Sequence, residues 1–128
     1  MAETEKITIN MSVVDLGKID LLVEQGHYSS RSDLIRTAIR EKLADYEETV
    51  KKEITSRSIG VGIFGLTKRD LEELRKKGVQ KDISVVGMTI IMDDVSPELA
   101  AETIKSLRVY GVLRASKAVK EALKDKIK

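Results

Sequence analysis

There is no cysteine in this chain of 128 residues. Disulfides, thiolate metal sites and cysteine nucleophiles are excluded at once. A single histidine, His27, rules out a histidine-rich metal site within one chain. Tryptophan is absent, and with one Phe and three Tyr the core must be assembled from Ile, Leu, Val, Met and Ala. No apolar run approaches the roughly 20 residues that a bilayer crossing needs. The opening MAETEKITIN has neither the basic nor the apolar part of a secretion signal. These absences lead to the expectation of a soluble, cytoplasmic protein with no membrane association and no cofactor. Nor is there a nucleophile–base pair or a carboxylate–histidine cluster. Gly60, Gly62 and Gly65 do not match GxGxxG, and GLTKRD is not a phosphate loop. An enzyme is not expected.

What the chain does have is charge, at 34% of residues, beside an ordinary 41% of hydrophobic ones. The length allows one medium domain or two small ones. The net charge of +2 is unevenly divided: residues 1–48 carry 6 basic and 10 acidic side chains, residues 49–128 carry 17 and 11. If the first part contacts a polyanion, a few well-placed cations must do it.

Residues 6–46 organise the rest. Lys6-Ile7-Thr8-Ile9-Asn10-Met11 alternates strictly, apolar on one face and polar on the other, which predicts a short strand. A lone strand leaves its backbone groups unpaired, and nothing nearby in sequence can form a hairpin with it. Pairing with the same strand of a second chain is therefore expected. The resulting two-stranded ribbon has a polar face of the right width for the major groove of DNA. Ser12, with Asp15 three residues on, opens a helix whose apolar stripe is Leu16, Ile19, Leu22 and Val23. Gly17 weakens that helix and Gly26 ends it. Ser30 and Asp33 form the start signal of a second helix, with Leu34, Ile35, Ala38, Ile39, Leu43 and Tyr46 at helical spacing. Val50 and Ile54 extend the periodicity toward the second half.

This order of elements resembles the ribbon–helix–helix family of DNA-binding proteins (the CopG/Arc type). The resemblance covers roughly residues 5–47. It rests on KITINM, on the glycine-terminated first helix and on YSSRSDLIRTAIREKL. It implies an intertwined homodimer whose paired strands enter the major groove, and a phosphate clamped at the start of the second helix.

A second module is expected over 58–128, after a helical linker at 49–57. Residues 58–66 have a strand's apolar content but three glycines, which makes a poor strand unless backbones approach closely there. Thr67 and Asp70 start a helix with Leu71 and Leu74 inward, closed by Lys77-Gly78. Asp82 to Met92 is the most apolar strand, and its two apolar faces imply cover on both sides. Ser96-Pro97-Glu98 starts a helix expected to run to about Leu107. A final helix is expected to turn Ala115, Ala118, Val119, Ala122 and Leu123 inward and lysines outward. Two readings of this half stand side by side. One is a degenerate second ribbon–helix–helix, from the likeness of Thr8–Met11 to Thr89–Met92 and of 30–39 to 114–123. The other is a β-α-β regulatory module similar to that of nickel-responsive members of the family, whose metal site needs histidines and a cysteine that are missing here.

The candidate site residues follow. Lys6, Thr8 and Asn10 would meet base edges: Asn10 with adenine N6 and N7, Lys6 with guanine O6 or N7, Thr8 with an acceptor or a thymine methyl. Ser29, Ser30 and Arg31 would hold a phosphate at the start of the second helix. Lys18, Arg36, Arg40 and the C-terminal lysines read as solvated faces. His27 reads as a turn histidine with a local hydrogen bond, and Tyr28 as a residue of the dimer core. The expected fold is α+β, an intertwined ribbon–helix–helix dimer followed by a small α/β module. The expected function is sequence-specific transcriptional regulation on double-stranded DNA, as a repressor, by a homodimer that the second module raises to a tetramer or higher. The alternatives are an antitoxin that regulates its own operon and a module whose main task is assembly.

Overall fold

Short hydroxyl side chains set where the helices of this chain begin. In the computed structural model, which describes residues 3–128, the side chains of Ser12, Ser30, Thr67, Ser96 and Ser116 each accept a bond from the backbone N–H three residues on. Each bond satisfies a donor that a helix start leaves open. At Thr67 the box closes in both directions, since the Asp70 carboxylate accepts from the Thr67 N–H at 3.0 Å. These backbone and hydroxyl bonds hold the Asp70 carboxyl below its ordinary range. The chain divides into two compact units, Met1–Lys52 and Glu53–Lys128.

The first unit contains α1 (Val13–Glu24), α2 (Arg31–Asp45) and most of α3 (Glu47–Ser56). Gly26 takes a left-handed φ of 83° after α1. Its N–H bonds to Val23 O and that of His27 to Leu22 O, which closes the helix as the sequence signal requires. The periodicity that reached Val50 and Ile54 is realised as two helices with Tyr46 between them rather than one. Of the apolar stripe on α1 only Ile19 is buried within one chain. Leu22, Ile39, Leu43 and Tyr46 all stand exposed.

The second unit is built from three βα pairs: β1 (Gly60–Leu66) with α4 (Lys68–Lys76), β2 (Lys81–Ile91) with α5 (Pro97–Thr103), and β3 (Ile104–Arg114) with α6 (Lys117–Ala122). The strands form one parallel sheet in the order β1-β2-β3. Crossovers between parallel strands keep one hand, so consecutive neighbours place their helices on the same face. The core obeys this rule. Leu71, Leu99, Ala100, Val119 and Leu123 from the helices meet Ile83, Val85, Ile91, Ile104 and Leu107 from the strands. The alternate residues, Val86, Met88 and Ile90 among them, lie outside that cluster.

Gly62, Gly87 and Gly111 are register partners across all three strands, and their φ values are 137°, 132° and 130°. A Cβ on Gly87 would lie 2.1 Å from Gly62 O, and one on Gly111 would lie 2.1 Å from Gly87 O. Of the three glycines that made 58–66 look a poor strand, Gly62 is the one explained by close backbone approach; a Cβ on Gly60 would meet the Phe64 ring at 3.1 Å, and one on Gly65 would meet nothing within 4 Å.

Four expectations need correction. The helix begun at Ser96 ends at Thr103, and the chain turns directly into β3 rather than continuing to Leu107. The physical reason is that β2 offers β3 a ladder over ten register pairs, which helix continuation would leave unmade. The second half is consequently strand–helix three times over, with every strand parallel, and not a second strand–helix–helix. Val119 of α6 and Leu123 at its C-cap turn inward while Ala118 and Ala122 are exposed, because a helix of six residues offers only a narrow stripe. Cover on both faces of Asp82–Met92 is also not supplied within the unit, because all three helices share one face.

Candidate nucleic-acid interface

Residues 3–12 form neither helix nor ladder within one chain. A ladder needs a paired strand, and among the described residues none pairs with this segment. Lys6, Thr8 and Asn10 are exposed along this segment, but so are Ile7 at 72% and Ile9 at 60%. The two faces foreseen from the alternation are both open to solvent in a single copy.

At the start of α2 the polar groups are already engaged with one another. Ser30 caps the helix by accepting from Asp33 N–H at 3.0 Å. The Asp33 carboxylate reaches one residue further back than a capping box would, accepting from the Ser29 N–H at 3.0 Å and the Ser29 hydroxyl at 3.2 Å. Arg31 turns to α1, where its Nε and Nη2 donate to the two oxygens of Asp20, each at 2.8 Å. The pair is side-on and half exposed. Its hydrogen bonds hold the Asp20 carboxyl below its ordinary value and raise the guanidinium of Arg31. The amides of Arg31 and Ser32 have no intrahelical acceptor by position, so they remain as donors for an oxyanion.

Thus Ser29, Ser30 and Arg31 gather at one helix start, whereas Lys6, Thr8 and Asn10 sit on a segment that a single chain leaves without a partner. Asp20 and Asp33 were missed as members of the site. Asp33 was legible as a cap partner, but Asp20 lies 11 residues from Arg31 and no spacing rule links them. His27 is held by its backbone bond to Leu22 and its ring is exposed, while Tyr28 is half-buried. Arg36 and Arg40 lie exposed on the outer face of α2. Lys42 pairs with Asp45 at 3.7 Å and lies over the Tyr46 ring. Among the described residues no helix is long and apolar enough to cross a membrane, and no three acidic or histidine side chains are grouped to hold a metal ion.

Comparison with known proteins bears on this geometry. A protein from Methanocaldococcus jannaschii, described as an uncharacterized transcriptional regulator, is 37% identical over 76 residues, 59% of this chain. The aligned region covers 56% of that relative, so the chain spans little more than half its length. No solved structure matches the chain. A model of a family described as ribbon–helix–helix transcriptional regulators matches residues 2–120. Regulators of that kind bind DNA and typically form dimers. Since the match takes in nearly the whole chain, this protein belongs to the ribbon–helix–helix transcriptional regulator family.

Proposed function

We propose that the protein is a homodimeric, sequence-specific DNA-binding repressor of the cytoplasm. Two copies of Lys6–Met11 pair antiparallel, Ile7, Ile9 and Met11 turn into the dimer, and Lys6, Thr8 and Asn10 read base edges in the major groove. The amides at the start of α2, with Ser29 and Ser30, hold a flanking phosphate. Arg31 joins them by exchanging Asp20 for the phosphate. The observation that carries this reading is the imbalance in the first unit. Among its described residues it buries a single large apolar side chain, Ile19, and leaves Ile7, Ile9, Val13, Val14, Leu21 and Leu43 exposed. An apolar surface of that extent on a small unit marks a protein interface.

Repression follows from occupancy, because a dimer on two half-sites excludes other proteins from the same groove. The antitoxin alternative has no observation in its favour, since the C-terminal half folds on a core of its own rather than forming an extended tail.

The test is recovery of binding sites with purified protein at two salt concentrations, with Asn10→Ala alongside. The expected result is a short repeat whose affinity falls steeply with salt. Asn10→Ala should cost about 1–3 kcal/mol on that site and relax one position of it. An equal loss on random DNA would remove Asn10 from base reading, and no binding at either salt would remove the function.

A further inference from the structure

On the helix side of the sheet a cavity of about 230 Å³ opens along β1 and β2. Its walls are Leu66, Ile83 and Val85, which belong to the core or pack against it, and the ring of Phe64. Gly60 brings no side chain to the space, and a Cβ there would lie 3.1 Å from Cζ of the Phe64 ring. Four residues of straight strand span about 13 Å, more than a phenylalanine side chain reaches. β1 therefore bends inward at Gly62, which draws the two ends of the cavity together. One end is Thr89, the register partner of Phe64. Thr89 is wholly buried, and its hydroxyl has no hydrogen-bond partner among the described residues. Such a group costs stability, and folded proteins seldom keep one without a use.

The other end is an open strand edge. β1 pairs with β2 only from Gly60 and Val85 onward, whereas β3 follows β2 down to Lys81. Ser58, with a left-handed φ of 52°, breaks the extended line of the chain just before β1. Residues 81–84 therefore have a ladder partner on the β3 side alone, and no backbone bond outside the ladder reaches them among the described residues. The N–H groups that they turn away from β3 stay open. Two charged side chains stand at this end. Asp82 is engaged toward β3, where its carboxylate accepts from the Ser106 hydroxyl. The Lys81 ammonium helps to hold the Asp70 carboxyl down from a distance, yet forms no ion pair among the described residues.

We infer that the cavity binds a small carboxylate with an apolar body and a neutral hydroxyl or carbonyl at its far end. Each part has its counterpart. The carboxylate meets the Lys81 ammonium and the open N–H groups of β2, and the long lysine side chain covers part of the distance. The body lies against Phe64, Ile83 and Val85. The tip pairs with the Thr89 hydroxyl, which donates or accepts as the tip requires. A second charge at that depth would be costly among apolar walls. One cation suits a carboxylate, whereas a phosphate draws on several donors. The volume is below the roughly 300–1,000 Å³ of sites for drug-sized molecules, which limits the ligand to a small metabolite. The site lies within the second unit and needs neither the dimer nor the DNA binding proposed above.

The test is an NMR titration of the full chain, methyl-labelled and free of DNA, with 4-hydroxybenzoate as an aromatic probe and 5-hydroxypentanoate as an aliphatic one. At least one should shift the methyl signals of Leu66, Ile83 and Val85, and the tighter of the two identifies the body. The same acid without its hydroxyl (benzoate or pentanoate) should bind about tenfold more weakly, and so should the alcohol without its carboxylate (phenol or butanol). Thr89→Val should erase the advantage over the plain acid and leave the plain acid's own affinity unchanged. Thr89→Ser, which keeps the hydroxyl, should retain the advantage. A purely structural Thr89 would change the melting temperature in these variants but not the ratio of affinities. Lys81→Met, at an exposed position, should erase the advantage over the alcohol. Absence of shifts with both probes at millimolar concentration would overturn the site, as would equal affinities for acid, alcohol and hydroxy acid. Loss of site-specific DNA binding would sink the proposed function and leave this inference standing.

Discussion

The two units solve the same problem with different means. The second unit encloses a core of its own between three helices and a sheet, with Leu71, Ile104, Leu107 and Leu123 wholly out of water. The first unit has more helix and almost no core, since only Ile19 is buried among its described residues. Its caps and glycine turn are as well formed as those of the second unit, so the difference does not lie in local signals. It lies in where the apolar partners are. One unit finds them within the chain, and the other leaves an apolar stripe facing outward. Good helix boundaries therefore do not tell an independent fold from half of one.

The sharpest way to break the contrast is at the glycines. Gly87→Ala places a Cβ 2.1 Å from a backbone oxygen at positive φ. It should cost on the order of 3 kcal/mol or more and unfold the second unit first. Retention of the sheet's amide protection in hydrogen exchange would show that the strands can separate there. A smaller effect of opposite sign is expected at Thr89, which is fully buried with a hydroxyl that finds no partner. Thr89→Val keeps the shape, removes the orphan group and should raise stability by about 1 kcal/mol in denaturant melts. No change would mean that water reaches the hydroxyl.

In the first unit glycine has a different standing. Gly17 lies within α1, and a Cβ there would meet nothing within 4 Å. Gly17→Ala should stabilise α1 by up to about 1 kcal/mol. A loss instead would place a partner's backbone against that side of α1.

The smallest effect concerns the pair at the start of α2. Asp20 is held below its ordinary value by its bonds to Arg31, so its contribution is fully present above that ordinary value. It is lost only as pH falls through the depressed one. Stability from pH 5 to 8 should therefore not change on its account, and a carbon-detected titration of Asp20 should shift upward in Arg31→Ala. Asp20→Asn releases Arg31 and removes a negative charge from an acidic unit. DNA affinity at low salt should rise by roughly a few fold. Unchanged affinity would show that Arg31 plays no part in phosphate binding.

The helix starts were legible because each depends on residues within three or four positions. Ser30-Arg-Ser-Asp and Thr67-Lys-Arg-Asp carry their own geometry. The third strand was not. Leu99, Ala100, Thr103, Ile104 and Leu107 are spaced as one helical stripe, and all five are buried. The inward residues of a helix and of a following strand happened to continue the same pattern. Only the ladder offered by β2, some 20 residues earlier, decides between them. The site divides in the same way. The cap at Ser30 could be read, but the bidentate grip of Asp20 on Arg31 needs α1 and α2 already packed.

The row formed by Gly62, Gly87 and Gly111 also acts as an alignment key. If β1 slipped by one residue along β2, Gly62 would face Val86 or Met88. Gly87 would then lose the glycine whose carbonyl it admits, and the close approach along the row would be broken. A misaligned sheet forfeits that approach along the whole row. The contacts tie the three positions together, because a side chain at Gly87 or Gly111 would meet the backbone of the next glycine in the row.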